Sequence, residues 1–118
     1  MARVILTPEL EQEIDKQFKE DSVNVFKLLL TLENNPKKGK ALCHVGSIVL
    51  KELKYKSYRF YFITNGYKVK FLKPEQLKDL LIKFIRMSDK KTQSNVISEI
   101  KVMLRRLGNQ GFEDHKTS

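Results

Sequence analysis

With 118 residues and a single cysteine, Cys43, the chain has the length of one domain and enough residues for a core of its own. It has no disulfide framework and no cysteine metal site. Its formal net charge of +9 at pH 7 points to a polyanionic partner. No apolar run is long enough to cross a membrane and no leader pattern opens the chain, so a cytoplasmic protein without a membrane partner is expected.

The charge is unevenly placed. Residues 1–35 carry 4 Lys or Arg against 7 Asp or Glu, residues 36–73 carry 10 against 1, and residues 74–118 carry 9 against 6. Concentration of cations in the middle third favours RNA or DNA over a merely solvated basic surface.

In chain order, Arg3 to Leu6 is a short apolar run that suits an edge strand. Thr7-Pro8-Glu9 has the N-cap, first-turn proline and following acid of a helix start, and Leu10, Ile14 and Phe18 give that helix, 8–20, an apolar stripe. Asp21 or Ser22 caps a second helix over 22–34, which Asn34-Asn35-Pro36 ends. The stretch from Pro36 to Gly46 is expected to be a lysine-bearing loop without phosphate-loop spacing. His44 in it is an acid or base candidate; the only other histidine is His115.

The stretch 48–72 is expected to be a three-stranded antiparallel meander over 48–54, 58–64 and 67–72, with Asn65-Gly66 as a type I′ hairpin turn. Parity places Tyr58, Phe60, Phe62, Tyr67, Val69 and Phe71 on one apolar face. It places Arg59, Tyr61, Ile63, Lys68 and Lys70 on the other, which is left open and basic. The first strand is less clean: Lys51 falls with Val49 and Leu53, while Glu52 and Lys54 fall with Ile48 and Leu50. Lys73-Pro74-Glu75 starts a third helix in which Leu77, Leu80, Leu81, Phe84 and Ile85 keep a 3.6-residue period, although 81–86 also suits a strand. A last helix begins at Ser88 or Asp89 and ends at Gly108. Residues 1–108 thus form one domain and 109–118 a disordered tail. The fold class is α+β, a helical hairpin packed on an antiparallel β-meander, with helices at the C-terminus.

Four local patterns in this order resemble the RelE/ParE toxin superfamily, most closely its HigB-like and phage-derived members. Leu32-Glu33-Asn34-Asn35-Pro36 followed by Gly39-Lys40-Ala41-Leu42 resembles the family's junction before the sheet. Leu50-Lys51-Glu52-Leu53-Lys54 is similar to its "W-E-L-R" strand, and Tyr58-Arg59-Phe60-Tyr61-Phe62 to "Y-R-v-f-Y". Phe84-Ile85-Arg86 with Lys90-Lys91-Thr92 and Glu99-Ile100 looks like "F-x-K-K … K-T-P … E-I". The chain departs from the pattern in Lys73 to Ile82, which looks like an insertion. It also has Gln93 for the proline and Lys54 for the usual arginine, and lacks a tyrosine after Tyr67.

The resemblance implies a RelE-like fold and a toxin that cleaves mRNA, often on the ribosome, without metal or cofactor, and that a cognate antitoxin protein neutralises. Arg59 matches the family's central arginine and would stabilise charge on the reacting phosphate, for which a bidentate guanidinium is suited. Lys54 matches the neighbouring cation and Arg86, Lys90 and Lys91 the basic cluster that holds backbone phosphates. Glu52 orients Lys54 or Arg59, with a general-base role as the alternative, and Lys51 or Lys54 are further base candidates. Lys51, Lys68 and Lys70 add RNA contacts, and Tyr61 is a candidate for stacking on a base. Two other readings stand beside the nuclease: a ParE-like toxin acting on DNA gyrase, and an inactive RNA-binding or interaction module of the same fold.

Overall fold

A computed structural model describes residues 1–107 and shows an α+β chain built on a five-stranded mixed sheet of order β1-β5-β4-β3-β2. The strands are β1 (Arg3–Leu6), β2 (Lys40–Val45), β3 (Ile48–Tyr55), β4 (Tyr58–Asn65) and β5 (Leu81–Ser88). The helices are α1 (Pro8–Phe18), α2 (Ser22–Leu30), α3 (Gly66–Phe71) and α4 (Gln93–Leu107). The expected helix stop at Gly108 and the tail 109–118 lie outside the described residues.

The N-terminal third follows its local signals. Thr7 caps α1, its hydroxyl accepting from the Leu10 amide at 3.2 Å, with Pro8 in the first turn and Glu9 and Glu11 favourably placed at the positive end of the helix. Lys19, at φ 52°, breaks the helix one residue past Phe18. α2 ends earlier than expected, at Leu30, and continues as a 3₁₀ turn over Thr31–Glu33 that still buries Leu32.

Strands β2, β3 and β4 form an antiparallel meander closed by two-residue turns. Gly46 (φ 61°) and Lys56 (φ 54°) supply the left-handed conformations those turns need. The expected loop between Pro36 and Gly46 therefore contains an edge strand, which pairs Lys40 with Glu52 and Val45 with Ile48. β1 pairs in parallel with β5, whose other flank pairs antiparallel with β4.

Two expectations fail together at the end of β4. Asn65 is extended (φ −77°, ψ 114°) and is no hairpin residue. Its side chain caps α3 by accepting from the Lys68 amide at 3.1 Å. Gly66 is not left-handed, but space around it is tight: a β-carbon there would lie 3.3 Å from both the His44 ring and the Ser47 carbonyl. Residues 67–72 are thus not a strand, and Phe71, expected in the core, is exposed. The sheet position they were expected to fill belongs to β5, expected as a helix. Its run sends Ile82, Phe84 and Met87 to one covered face and Ile85 to the other, with a register shift between, so it keeps no clean period that separates strand from helix.

The sheet divides two cores. On one face, Leu10 and Ile14 of α1 and Val25 and Leu29 of α2 pack on Leu53, Phe60, Phe62, Ile82, Phe84 and Met87. This is the helical hairpin over the aromatic face, as the parity of β4 requires, with Phe18 and Leu28 also packed there. Fully burying side chains of this size contributes roughly 1.5–3 kcal/mol each. On the other face, expected to be open, Val96, Ile100 and Leu104 of α4 cover Ile48, Leu50, Tyr61 and Ile63.

Candidate functional site

α4 roofs the end of its face that holds Ile48, Leu50 and Ile63. The other end of the same face carries polar residues, and strand register brings them together. Lys54 lies opposite Arg59, Glu52 opposite Tyr61, Arg59 opposite Ser88 and Tyr61 opposite Arg86. Directly opposed residues have β-carbons about 4.5–5.5 Å apart. The register shift between Tyr61 and Phe62 sets this alignment: it returns Phe62 and Phe84 to the helical-hairpin core while holding Arg86 and Ser88 beside Tyr61 and Arg59.

Arg59 is held, not solvated. Its Nε lies 3.4 Å from Glu52 Oε1, and the two side chains are only 14% and 10% exposed. With Nε directed at Glu52, contact with a phosphate would fall to the two terminal nitrogens of this largely enclosed guanidinium. Tyr61 is fully buried, with its hydroxyl 2.8 Å from Ser88 Oγ. Burial pushes its phenol up from the ordinary value, against the Ser88 hydrogen bond that lowers it, so at neutral pH it stays protonated. Arg86 pairs at the rim with Glu99 of α4, Nη1 to Oε1 at 2.9 Å, and also acts on Glu13 of α1, whose carboxyl burial raises and Arg86 lowers. Lys54 is exposed beside Arg59. Lys90 and Lys91 are exposed in the turn that leaves Ser88. There Asp89 accepts from the amide and hydroxyl of Thr92 at 2.9 and 3.0 Å, which lowers its carboxyl below the usual range.

The structure thus brings together Glu52, Lys54, Arg59 and Arg86, with Lys90 and Lys91 following Ser88. Five other candidates are corrected. Lys51 points into the helical-hairpin side and is buried. Its Nζ donates to the Lys37 carbonyl at 2.9 Å and lies 5.8 Å from the Phe62 ring centroid, so it offers no RNA contact, and burial lowers its ammonium from the ordinary value. Tyr61 is enclosed and cannot stack on a base. Lys68 and Lys70 lie on α3, past the far end of β4, and do not share the face of Arg59. His44 also lies toward that end, opposite Val49 and against Gly66.

Sequence reasoning did not assign Ser88 or Lys40 to the site. Ser88 joins through β5, and Lys40 through β2, where it faces Glu52. Neither was visible without those two strands.

Among the described residues no group of three His, Cys, Asp or Glu is placed to hold a metal ion, and no helix is long and apolar enough to cross a membrane. The charge of the cluster suits a phosphate: a fixed guanidinium, the exposed ammonium of Lys54 opposite it, and exposed Lys90 and Lys91 beyond Ser88. No family model, curated protein or solved structure matches the chain.

Proposed function

We propose that the chain is a metal-independent endoribonuclease of RelE-like fold, the toxin of a toxin–antitoxin pair, acting on mRNA in the cytoplasm. The observation that carries the reading is Arg59: a guanidinium on the central strand, nearly buried, fixed through Nε by Glu52, with Lys54 opposite it on β3 and Ser88 opposite it on β5. A cation so placed is preorganised for charge that develops on a phosphate, and it costs no reorganisation when that charge appears.

In the proposed reaction the 2′-hydroxyl of the RNA attacks the adjacent phosphorus and gives up its proton to solvent. The phosphorus–5′-oxygen bond breaks, leaving a 2′,3′-cyclic phosphate and a 5′-hydroxyl. Arg59 binds the non-bridging oxygens as their charge rises, and Lys54 donates a proton to the departing 5′-oxygen. Glu52, already engaged with Arg59, is its positioning residue. Arg86, Lys90 and Lys91 hold flanking phosphates and set the register of the strand. The partners are mRNA, the ribosome as the place of action, and an antitoxin whose acidic segment covers these cations.

The test is single-turnover cleavage of one mRNA by the purified chain, with chelator present, with and without ribosomes, and analysis of the product ends. Cyclic phosphate and 5′-hydroxyl ends support the reading. No cleavage in either condition removes it, and growth arrest with a DNA-damage response would then favour the gyrase reading.

A further inference from the structure

Antiparallel neighbours such as β4 and β5 can be joined by two residues, yet residues 66–80 lie between them. Part of this excursion has a packing role: Leu77 and Leu80 are buried, and Val69 and Leu72 pack against the helical-hairpin core. Packing does not explain what α3 turns outward. Tyr67 and Phe71 are each 64% exposed. Four residues apart, they share one side of the helix, with ring centroids 5.2 Å apart and planes at 46°. Lys70 Nζ stands 5.4 Å from the Phe71 centroid, and Lys68, Lys70 and Lys73 are all exposed. No acid occurs in the sequence between Glu52 and Glu75. A pair of solvent-facing aromatic rings set among lysines, with no carboxylate near in sequence, offers faces for bases and charges for phosphates.

We propose that α3 is a platform for unpaired bases of a single-stranded RNA, with Tyr67 and Phe71 stacking on bases and Lys68, Lys70 and Lys73 holding the adjoining phosphates. That the strand is RNA and not DNA rests on the nuclease reading above; the platform itself rests on the rings and lysines of α3. The platform lies beyond the end of β4 remote from Arg59, about 20 Å away for six residues at ~3.3 Å each. It therefore binds a part of the strand well removed from the bond that is cut.

The test is fluorescence anisotropy with a labelled single strand of about 12 nucleotides, within the range one such module covers. The strand carries 2′-O-methyl groups, which remove the attacking hydroxyl and keep it intact. A DNA strand of the same sequence and an RNA duplex serve as comparisons. Tyr67→Leu/Phe71→Leu keeps apolar area but loses the ring faces, and should weaken single-strand binding about tenfold or more at matched salt. Tyr67→Phe should bind as wild type does. Lys68→Gln/Lys70→Gln should flatten the salt dependence. The duplex should bind more weakly and be indifferent to the leucine pair.

Equal binding of the DNA strand supports the platform and removes its preference for RNA. Wild-type affinity in the leucine pair, or no single-strand binding by the wild type, overturns the proposal. So does a leucine pair that loses a protein partner while keeping RNA, since the patch is then a protein-docking surface. Cleavage that leaves cyclic-phosphate and 5′-hydroxyl ends, together with an indifferent leucine pair, sinks the platform and spares the nuclease. The converse result sinks the nuclease and spares the platform.

Discussion

Glu52 on β3 and Arg59 on β4 meet diagonally across the hairpin, carboxylate to guanidinium at 3.4 Å, each side chain almost sealed from water. Glu52 stands opposite Tyr61 and Arg59 opposite Lys54, so the pair closes a small square of charged and hydroxyl-bearing side chains on the middle strands. Buried pairs of this kind are costly to break from one side, because the remaining charge is left without its partner.

That geometry gives different outcomes for the two residues. Arg59→Ala should lower single-turnover cleavage by about 100-fold or more, as loss of one transition-state donor does, with RNA binding weakened far less. Arg59→Lys should recover only part of the rate, since a point charge does not replace the bidentate fork. Glu52→Gln should reduce the rate less than Arg59→Ala does and leave the pH–rate profile unchanged, because in the proposed reaction Glu52 positions Arg59 and carries no proton. A Glu52→Gln variant that loses an ionisation from that profile would make Glu52 the base.

Lys51 sits where neither RNA nor bulk water reaches it. Burial lowers its ammonium, so the folded protein binds the proton less readily than the unfolded chain, whose lysines titrate near ~10.4. Between the lowered folded value and that unfolded value, the unfolded state holds more protons, and stability therefore rises with pH. Tyr61 acts oppositely above about pH 10, where unfolded tyrosine ionises and the buried phenol resists. Denaturant titrations across alkaline pH should show the Lys51 gain in the wild type and its absence in Lys51→Met, whose stability at pH 7 should equal or exceed that of the wild type. A Lys51→Met protein with the same alkaline slope as the wild type would remove this account.

Gly39 lies over the same region. At φ 104° it occupies backbone space that a side chain rarely adopts, and a β-carbon there would stand 2.7 Å from Phe62 Cζ and 3.2 Å from the Glu52 carbonyl. Gly39→Ala should cost more than about 1 kcal/mol, since conformation and contact both oppose it. Gly46→Ala shares the left-handed backbone but meets nothing within 4 Å, so it should cost less. Equal midpoints in urea for these two variants would show that the Phe62 contact is slack.

The parity of β4 was fully legible: Phe60 and Phe62 against the helical hairpin, Arg59 and Tyr61 opposite. What the second face holds was legible only in part. Ile48 and Leu50 fall on it with Glu52 and Lys54, an apolar half and a charged half. Such a strand is central in a covered sheet, and α4, with Val96, Ile100 and Leu104, is its cover. The reading of that face as open concealed the burial of Tyr61. The larger error followed from Asn65-Gly66, which is a hairpin signal only if the next strand begins at once. Here the Asn65 side chain reaches the Lys68 amide instead and starts a helix. No local pattern weighs that cap against a turn. The choice is made by β1 and β4, which need β5 between them, and long-range pairing of that kind leaves no mark in a short window. Arg86 was placed among the site cations by resemblance alone; its neighbour Ser88 became visible only with the β5 register.

Acid stability turns on Asp21. It lies in the short turn between α1 and α2. It accepts from Asn24 Nδ2 at 2.8 Å, from the Tyr55 hydroxyl at 2.9 Å and from Lys56 Nζ at 3.1 Å, tying the helical hairpin to the β3–β4 turn. These three donors bring its carboxyl down to about 2, the Asn24 contact first among them, and reciprocally raise the Tyr55 phenol and the Lys56 ammonium. The folded value is depressed, so the contribution is complete above the unfolded value near ~3.9 and is lost as pH falls toward 2. Wild-type stability should therefore fall through that window more steeply than that of Asp21→Asn, which has no carboxylate to protonate. Tyr55→Phe, which removes one donor, should lie between them. The site of Arg59 is at the same end of the β3–β4 hairpin but makes no contact with Asp21, so cleavage at neutral pH should be unchanged in Asp21→Asn. Urea midpoints at pH 5, 4, 3 and 2.5 decide the matter, and parallel curves for wild type and Asp21→Asn would mean that the three hydrogen bonds do not hold in solution.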